Sequence, residues 1–455
     1  MKDIKVVIGK NFGDEGKGAA VYRLCQGKKA IVVRHNGGAQ AGHTVEDGSF
    51  RFVFHQLGSG SPLGRPTFWS HTFLPDLLKL GEEIEELRIA VEQSGNDRLR
   101  SCFSRDICPQ IYAHPDCTCT TIYDVLLNSI AEQLRGDAKH GSCGMGIYET
   151  VLRSREEPYV LRMKDVMQMT RRQLADKLRQ IRDGYGEKRL QELLENQKTE
   201  MCSEQKVGRI FGIRDNINSN EIQNWLEIFY DENVLLNVAD EMYQNAHQFV
   251  RMMEWEDILE EYDTIVIESA QGLMLDEDNE EYYPHLTPSH TGFFNVADII
   301  DNYVINKKAD INSDAKCGTM PVQQEAVCNV EIVYVTRTYV TRHGAGRLDH
   351  ECSKDAINPA MTDRTNVPNP WQDSLRYAKH SSGEEFFKYV KKDLLHLKRF
   401  SPYIKEDIRI YLTHLDETDD KVIFCDKNME FAEFQLFCKE HIGADVVAVP
   451  HLAIL

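Results

Sequence analysis

The sequence predicts an α/β fold, a single large domain around a twisted, mostly parallel central sheet with helical elaborations. Three observations carry this. An apolar run, Ile4-Lys5-Val6-Val7-Ile8-Gly9, leads through a glycine-rich turn into the helix-forming Ala19-Ala20-Val21-Tyr22-Arg23-Leu24, which reads as strand, loop, helix. Thr264-Ile265-Val266-Ile267 is a continuous β-branched run, the pattern of a strand covered on both faces. Helical periodicity fills the stretches between such runs, at 74–92 with acids outside and through most of 171–262 apart from an irregular break near 203–219.

Taken in order, the first loop is the most informative. Gly13-Asp14-Glu15-Gly16-Lys17-Gly18 stands between strand and helix, so backbone N–H groups and the positive end of a helix point at one spot, which suits phosphate. Lys17 adds positive charge. The loop lacks the spacing of an ordinary P-loop, and no Ser or Thr follows Lys17. Asp14 beside the lysine suits a base or an Mg²⁺ ligand. The next strand, 31–34, runs into His35-Asn36-Gly37-Gly38-Ala39-Gln40-Ala41-Gly42-His43-Thr44. Loops at the ends of neighbouring strands share a cleft, so His43 is expected near Asp14. Further strands are expected at 331–335, 408–412 and 446–449, with a last helix at 428–441.

Composition bounds the function. With 455 residues, 42% of them hydrophobic, the chain can bury a large core. Its net charge of −19 disfavours nucleic acid and anionic membrane as partners, so a nucleotide must meet a locally positive pocket, with Lys17, Arg153 and Arg342 as candidate cations. No apolar run is long enough to span a bilayer and no secretory leader is apparent, so a cytoplasmic enzyme with twelve reduced cysteines is expected. Cys102, Cys108, His114, Cys117 and Cys119 are close in sequence but fit no C-x₂-C pair, and buried, unrelated thiols are favoured over zinc. The acidic run 276–281 reads as a solvated loop, with Asp276 a possible exception.

The two loops, Gly-Asp-Glu-Gly-Lys-Gly and Gly-Gly-x-x-Ala-Gly-His-Thr, resemble those of the adenylosuccinate synthetase family. Later segments follow in the family's order. Gly141-Ser142-Cys143-Gly144-Met145-Gly146-Ile147 is similar to Gly-Thr-Thr-Gly-Arg-Gly-Ile. Glu268-Ser269-Ala270-Gln271-Gly272-Leu273-Met274-Leu275-Asp276 is similar to Glu-Gly-Ala-Gln-Gly-x-Leu-Leu-Asp. Tyr283-Pro284-His285-Leu286-Thr287, Thr341-Arg342-His343-Gly344-Ala345-Gly346 (family Thr-Arg-Val-Gly-x-Gly) and Leu412-Thr413-His414-Leu415-Asp416 follow. The resemblance implies a P-loop-related fold over 1–455, with a helical insertion at 151–262 and a divergent substrate segment at 347–405. It implies a GTP- and Mg²⁺-dependent ligase joining aspartate to a purine nucleoside monophosphate, IMP by default.

The resemblance also implies roles. Asp14 takes the N1 proton and, with the Gly42 carbonyl, holds Mg²⁺; His43 donates to the transferring phosphoryl group, and Lys17 and Gln271 complete the catalytic set. GTP is expected on Gly13, Asp14, Glu15, Gly16, Lys17, Gly18, Gly42, His43, Thr44, His414 and Asp416. The purine monophosphate is expected on Asn36, Gln40, Ser142, Cys143, Arg153, Gln271 and Thr287, with Arg153 (or Arg155) reaching into the partner subunit of a homodimer. Departures fall at Cys143, Met145, His414 and the C-terminal 449–452. The largest replaces the family's arginine-rich loop by 362–376, where Arg364 and Arg376 could supply charge and Asn366 polar contact for the amine donor. A guanine nucleotide or another amino acid as substrate, or an inactive nucleotide-binding regulatory paralogue, are the alternatives. Retention of Asp14, Lys17, His43 and Gln271 together counts against the inactive reading, and the missing P-loop Ser/Thr against a generic kinase.

Overall fold

The computed structural model describes residues 2–103, 108–135, 144–201, 219–301, 328–361, 375–400 and 403–449. The chain forms β1 (Lys2–Gly9), α1 (Lys17–Cys25), β2 (Ala30–Arg34), a hairpin of β3 (His43–Asp47) and β4 (Phe50–Phe54), β5 (Thr67–Trp69), α2 (Leu77–Ser94), α3 (Asp97–Cys102), β6 (Ile111–Ala113), α4 (Ile122–Arg135) and α5 (Ile147–Arg153). A helical stretch then leads to β7 (Val250–Met252), β8 (Thr264–Gly272), β9 (Cys328–Arg337), β10 (Val340–Arg342), β11 (Glu351–Cys352), β12 (Arg376–Ala378), β13 (Ile404–Thr413), β14 (Lys421–Val422), β15 (Met429–Glu430) and β16 (Asp445–Ala448).

Among the described residues the central sheet has nine strands, ordered β16-β13-β9-β1-β8-β2-β5-β6-β7, and every neighbouring pair is parallel. Parallel strands inside such a sheet are covered on both faces, which is why Val6–Ile8 of β1 and Ala30–Val33 of β2 are unbroken apolar runs. The period of two divides them. Val7, Val32, Val266 and Val333 join one core with α1, α2 and α4. Ile4, Val6, Ile31, Val33, Ile265, Ile267 and Ile332 join the other, with Trp255, Phe434 and Cys438. Each fully buried aliphatic side chain contributes about 1.5–3 kcal/mol.

The expected helix at 74–92 is α2, whose bounds are set by Asp76, accepting from Leu78 N at 3.0 Å and Lys79 N at 3.2 Å, and by Gly95 at φ +66°. The expected helices of 171–262 include Arg171–Gln180, Glu187–Met201, Ser219–Tyr230 and Glu232–Phe249, with a π-helical turn at Ile181–Gly186; most of the expected break lies outside the described residues. Among the described residues no helix is long and apolar enough to cross a membrane.

Candidate functional site

The carboxyl ends of β1, β2, β8, β9 and β13 open on one side of the sheet, where parallel folds bind ligands. A cavity of about 730 Å³ lies there. Gly13, Asp14, Gly16, Lys17, Gly18, Gly42, His43, Thr44 and His414 line it from the set expected to hold GTP, and Gln40, Gln271 and Thr287 from the set expected to hold the purine nucleotide.

The loop after β1 is built from the inside. Gly16 has φ +91°, and a Cβ there would stand 3.2 Å from Thr413 Cγ2. A Cβ on Gly18 would stand 2.5 Å from Thr44 O, so only glycine lets α1 rest on β3. Glu15 corrects the sequence expectation. Its side chain is buried, with Oε1 accepting from Asn11 N at 3.0 Å and Gly13 N at 2.8 Å and Oε2 3.5 Å from Lys17 Nζ, so it shapes the loop and does not line the cavity. Lys17 Nζ donates to Gly13 O at 2.6 Å. Asp14 alone of this group turns outward, its side chain 26% exposed, while Arg337 Nε donates to its backbone carbonyl at 2.5 Å.

His43 begins β3, whose pairing with Phe54 fixes it at the cavity wall. Its Nδ1 lies 2.8 Å from Glu268 Oε1, with the two side chains 4% and 0% exposed. Burial, reinforced by the nearby Arg34 and Lys17 and opposed by Glu268, lowers the His43 pKa to about 4. Burial works the other way on Glu268, but His43, Arg34 and Ser59 outweigh it and hold the carboxyl well below the usual range. Ser59 N donates to Glu268 Oε2 at 3.0 Å and its hydroxyl to Oε1. Arg34, wholly buried, supplies the balancing charge and donates to Leu57 O at 3.2 Å. His43 is therefore neutral at pH 7 beside an ionised carboxylate.

Gln271, the next-to-last residue of β8, has φ +64°, a strained value for a residue with a side chain. The strain is held by Asn36, which corrects another expectation. Asn36 does not line the cavity; its amide clamps Ala270, donating to its O at 3.0 Å and accepting from its N at 2.7 Å. Gln40 Oε1 accepts from Gly38 N at 2.7 Å.

The expected role of Arg153 is contradicted. Arg153 is fully buried, its Nε and Nη2 each 2.8 Å from the Asp124 carboxylate and its remaining donors on Tyr159 O and Cys119 O. It ties α5 to α4 and is not presented at the surface of the chain. Arg155, two residues on, lines the cavity. Arg376 is likewise spent, on Glu351 and on the carbonyls of Gly344 and Gly346. Asp416 is exposed in the turn Leu415–Glu417 and does not line the cavity. Ser142, Cys143, Arg364 and Asn366 lie outside the described residues.

Glu268, buried behind His43, and the cavity-lining Arg337 and His343 are residues to which the sequence reading assigned no role. An acid closing the apolar run 264–267, and an imidazole where the resembling motif has valine, are the signals that could have found two of them; Arg337 carries none.

The residues fit Mg²⁺. The donors at hand, the Asp14 carboxylate and the Gly42 carbonyl, are hard oxygens in the wall of a cavity large enough for a nucleotide, and Mg²⁺ takes such ligands together with phosphate. Among the described residues the cysteines form no group of three potential metal ligands. Cys117 Sγ is 3.0 Å from Phe73 O, and burial pushes the Cys119 thiol up to about 12. Among the described residues only Asp276, Asp278 and His290 bring three potential ligand atoms together, as ion pairs of a loop beside the cavity.

A family model described as adenylosuccinate synthetase matches residues 6–366. An adenylosuccinate synthetase of Thermoplasma volcanium is 27% identical over 358 residues, 77% of this chain and 64% of that protein. One of Acidithiobacillus ferrooxidans is 34% identical over 190 residues, 41% of this chain and 40% of that protein. The chain thus spans under two thirds of the length of these relatives. The structure of fully ligated adenylosuccinate synthetase from Plasmodium falciparum covers 93% of this chain, and 80% of its own, with a TM-score of 0.55 at 18% identity, a likeness of fold.

Proposed function

This chain belongs to the adenylosuccinate synthetase family, and we propose that it is a GTP-dependent ligase that joins aspartate to a 6-oxopurine nucleotide, IMP by default, through a 6-phosphoryl intermediate. The observation that carries the reading is the meeting of Asp14, His43 and Gln271 in the wall of one cavity with the glycine loop around Lys17.

The chemistry follows from the purine. A 6-oxo group leaves poorly, so it is activated first. Asp14 removes the N1 proton, which makes O6 a nucleophile. O6 forms a bond to the γ-phosphorus of GTP, the bond to the bridging oxygen breaks, and GDP departs. The amine then bonds to C6, and O6 leaves with the phosphate. Gln271, held rigid by its strained backbone, orients the purine edge. Asn36 acts through it.

His43 serves the phosphoryl group. Glu268 fixes Nδ1, so Nε2 is the nitrogen left for ligand. An ionised carboxylate on one side and an arriving phosphate on the other both favour the imidazolium, which lets Nε2 donate to the transferring oxygens. Lys17 and the start of α1 add positive potential. Asp14 and Gly42 would hold Mg²⁺, which, when bound, neutralises charge on the phosphates. Thr287 and Arg155 are proposed for the 5′-phosphate. The homodimer belongs to the same proposal, with Arg155 rather than Arg153 as the cation offered to a phosphate. A cytoplasmic setting is proposed with it.

The test is GDP release from GTP across a panel of purine monophosphates and amino acids. Turnover that requires both a 6-oxopurine nucleotide and an amino acid supports the reading, and the most active pair names the substrates. Tight nucleotide binding with no turnover on any pair would establish the regulatory alternative instead.

A further inference from the structure

Asp14 is approached from two sides by residues that follow the core of β9. Arg337 takes its backbone carbonyl. His343 brings Nε2 to 3.6 Å from Asp14 Oδ2, and the two side chains, 22% and 26% exposed, both line the cavity.

The turn that delivers His343 has little freedom. Arg342, just before it, pairs with Arg376 across β10 and β12. Gly344 has φ +70° and Gly346 φ +102°. Arg376 Nη1 donates to Gly344 O at 3.2 Å and Gly346 O at 2.8 Å. Arg342 donates to Arg347 O at 2.7 Å and His285 O at 3.2 Å, and a Cβ on Gly346 would stand 2.5 Å from Arg342 Nη2. Two arginines thus lock the backbone on which the imidazole stands.

A base must present one oxygen in line with the proton it removes, and a carboxylate rotates freely unless something holds its plane. Its two oxygens offer about four lone-pair sites, so one donor can hold an oxygen without closing the group to other ligands. At 3.6 Å the His343–Asp14 pair is a small rotation from hydrogen-bond distance, and contacts of this kind tighten when substrate is bound. We infer that His343 is the positioning residue of Asp14: its Nε2 holds Oδ2, which turns Oδ1 to the substrate. The inference rests on the proposed role of Asp14 as the base.

The test compares wild type with His343→Val and His343→Gln at saturating GTP, nucleotide and amine. Valine removes the donor, whereas glutamine returns an N–H near the place of Nε2. His343→Val is expected to lose roughly 10- to 100-fold in kcat with each KM within about twofold, and His343→Gln to recover most of the loss. Crystal structures of the variants should find the Asp14 carboxylate displaced with valine and in place with glutamine. A wild-type kcat in His343→Val, a change confined to KM, or glutamine no better than valine overturns the inference. If wild type turns over no 6-oxopurine nucleotide, the functional reading fails by itself, and the carboxylate position in the two variants alone decides whether His343 holds Asp14.

Discussion

His43 with Glu268 and Asp14 with His343 are both acid–base pairs at one cavity, yet the first is sealed, with only His43 in the wall, and the second is half open, with both members in it. Glu268 keeps its charge because Arg34 and Ser59 share its burial, and that fixed charge sets which nitrogen His43 offers. Asp14 has its backbone pinned and its carboxylate left partly wet. The difference teaches a division of labour. The group proposed to hold a tautomer is buried among compensating charges, and the group proposed to exchange a proton with a ligand stays at the water's edge. The same contrast repeats at Arg153, sealed on Asp124, and Arg155, open to the cavity.

The largest expected effect is on the open pair. Asp14→Asn keeps the shape but cannot accept a proton, so turnover should fall by about 10²–10⁴-fold while the unfolding midpoint stays put. Unchanged turnover would break the assignment of the base.

On the sealed side the effect should appear in stability as well. Glu268→Ala leaves Arg34 buried without its counter-charge, and Arg153→Ala does the same to Asp124. Each should cost about 3–5 kcal/mol in denaturant unfolding. If Glu268→Ala lowered only activity, the sealed pair would be no scaffold. Arg155→Ala sharpens the contrast. It should leave stability alone and raise the KM for the purine nucleotide by the equivalent of about 1.5–3 kcal/mol, the worth of one charge-assisted contact.

The smallest effect concerns Gln271. Glycine relieves the positive φ, so Gln271→Gly should raise stability by about 1 kcal/mol while weakening nucleotide binding. A loss of stability would mean that the side chain, not the ligand, justifies the strain.

Much of this site is legible in the sequence because its chemistry sits in loops bounded by unmistakable strands. The glycine loop after β1 and the glycine–histidine loop after β2 announce themselves by local composition. β8, β9 and β13 follow from runs of Val, Ile and Tyr. What escapes is what depends on distant partners. An arginine in α5 reads the same whether it points inward or outward until Asp124, 29 residues earlier, is placed beneath it. Glu15 and Asn36 look like ligands because they stand among ligands, but each is turned into the backbone beside it. The three-residue strands β5, β6 and β7 carry too few positions to establish a period. His43 and Glu268 meet only because β8 inserts between β1 and β2 in the sheet.

The central claim is that O6 of the purine, freed by Asp14, takes the phosphoryl group and leaves with it. IMP carrying heavy oxygen at C6, incubated with GTP and aspartate, tests this most directly, with the labelled form of the best nucleotide and donor from the panel substituted if that pair is slow. The account predicts that each product molecule formed is matched by one inorganic phosphate bearing the heavy oxygen. Product accompanied by unlabelled phosphate, or label that remains in the purine while GDP accumulates, would contradict it.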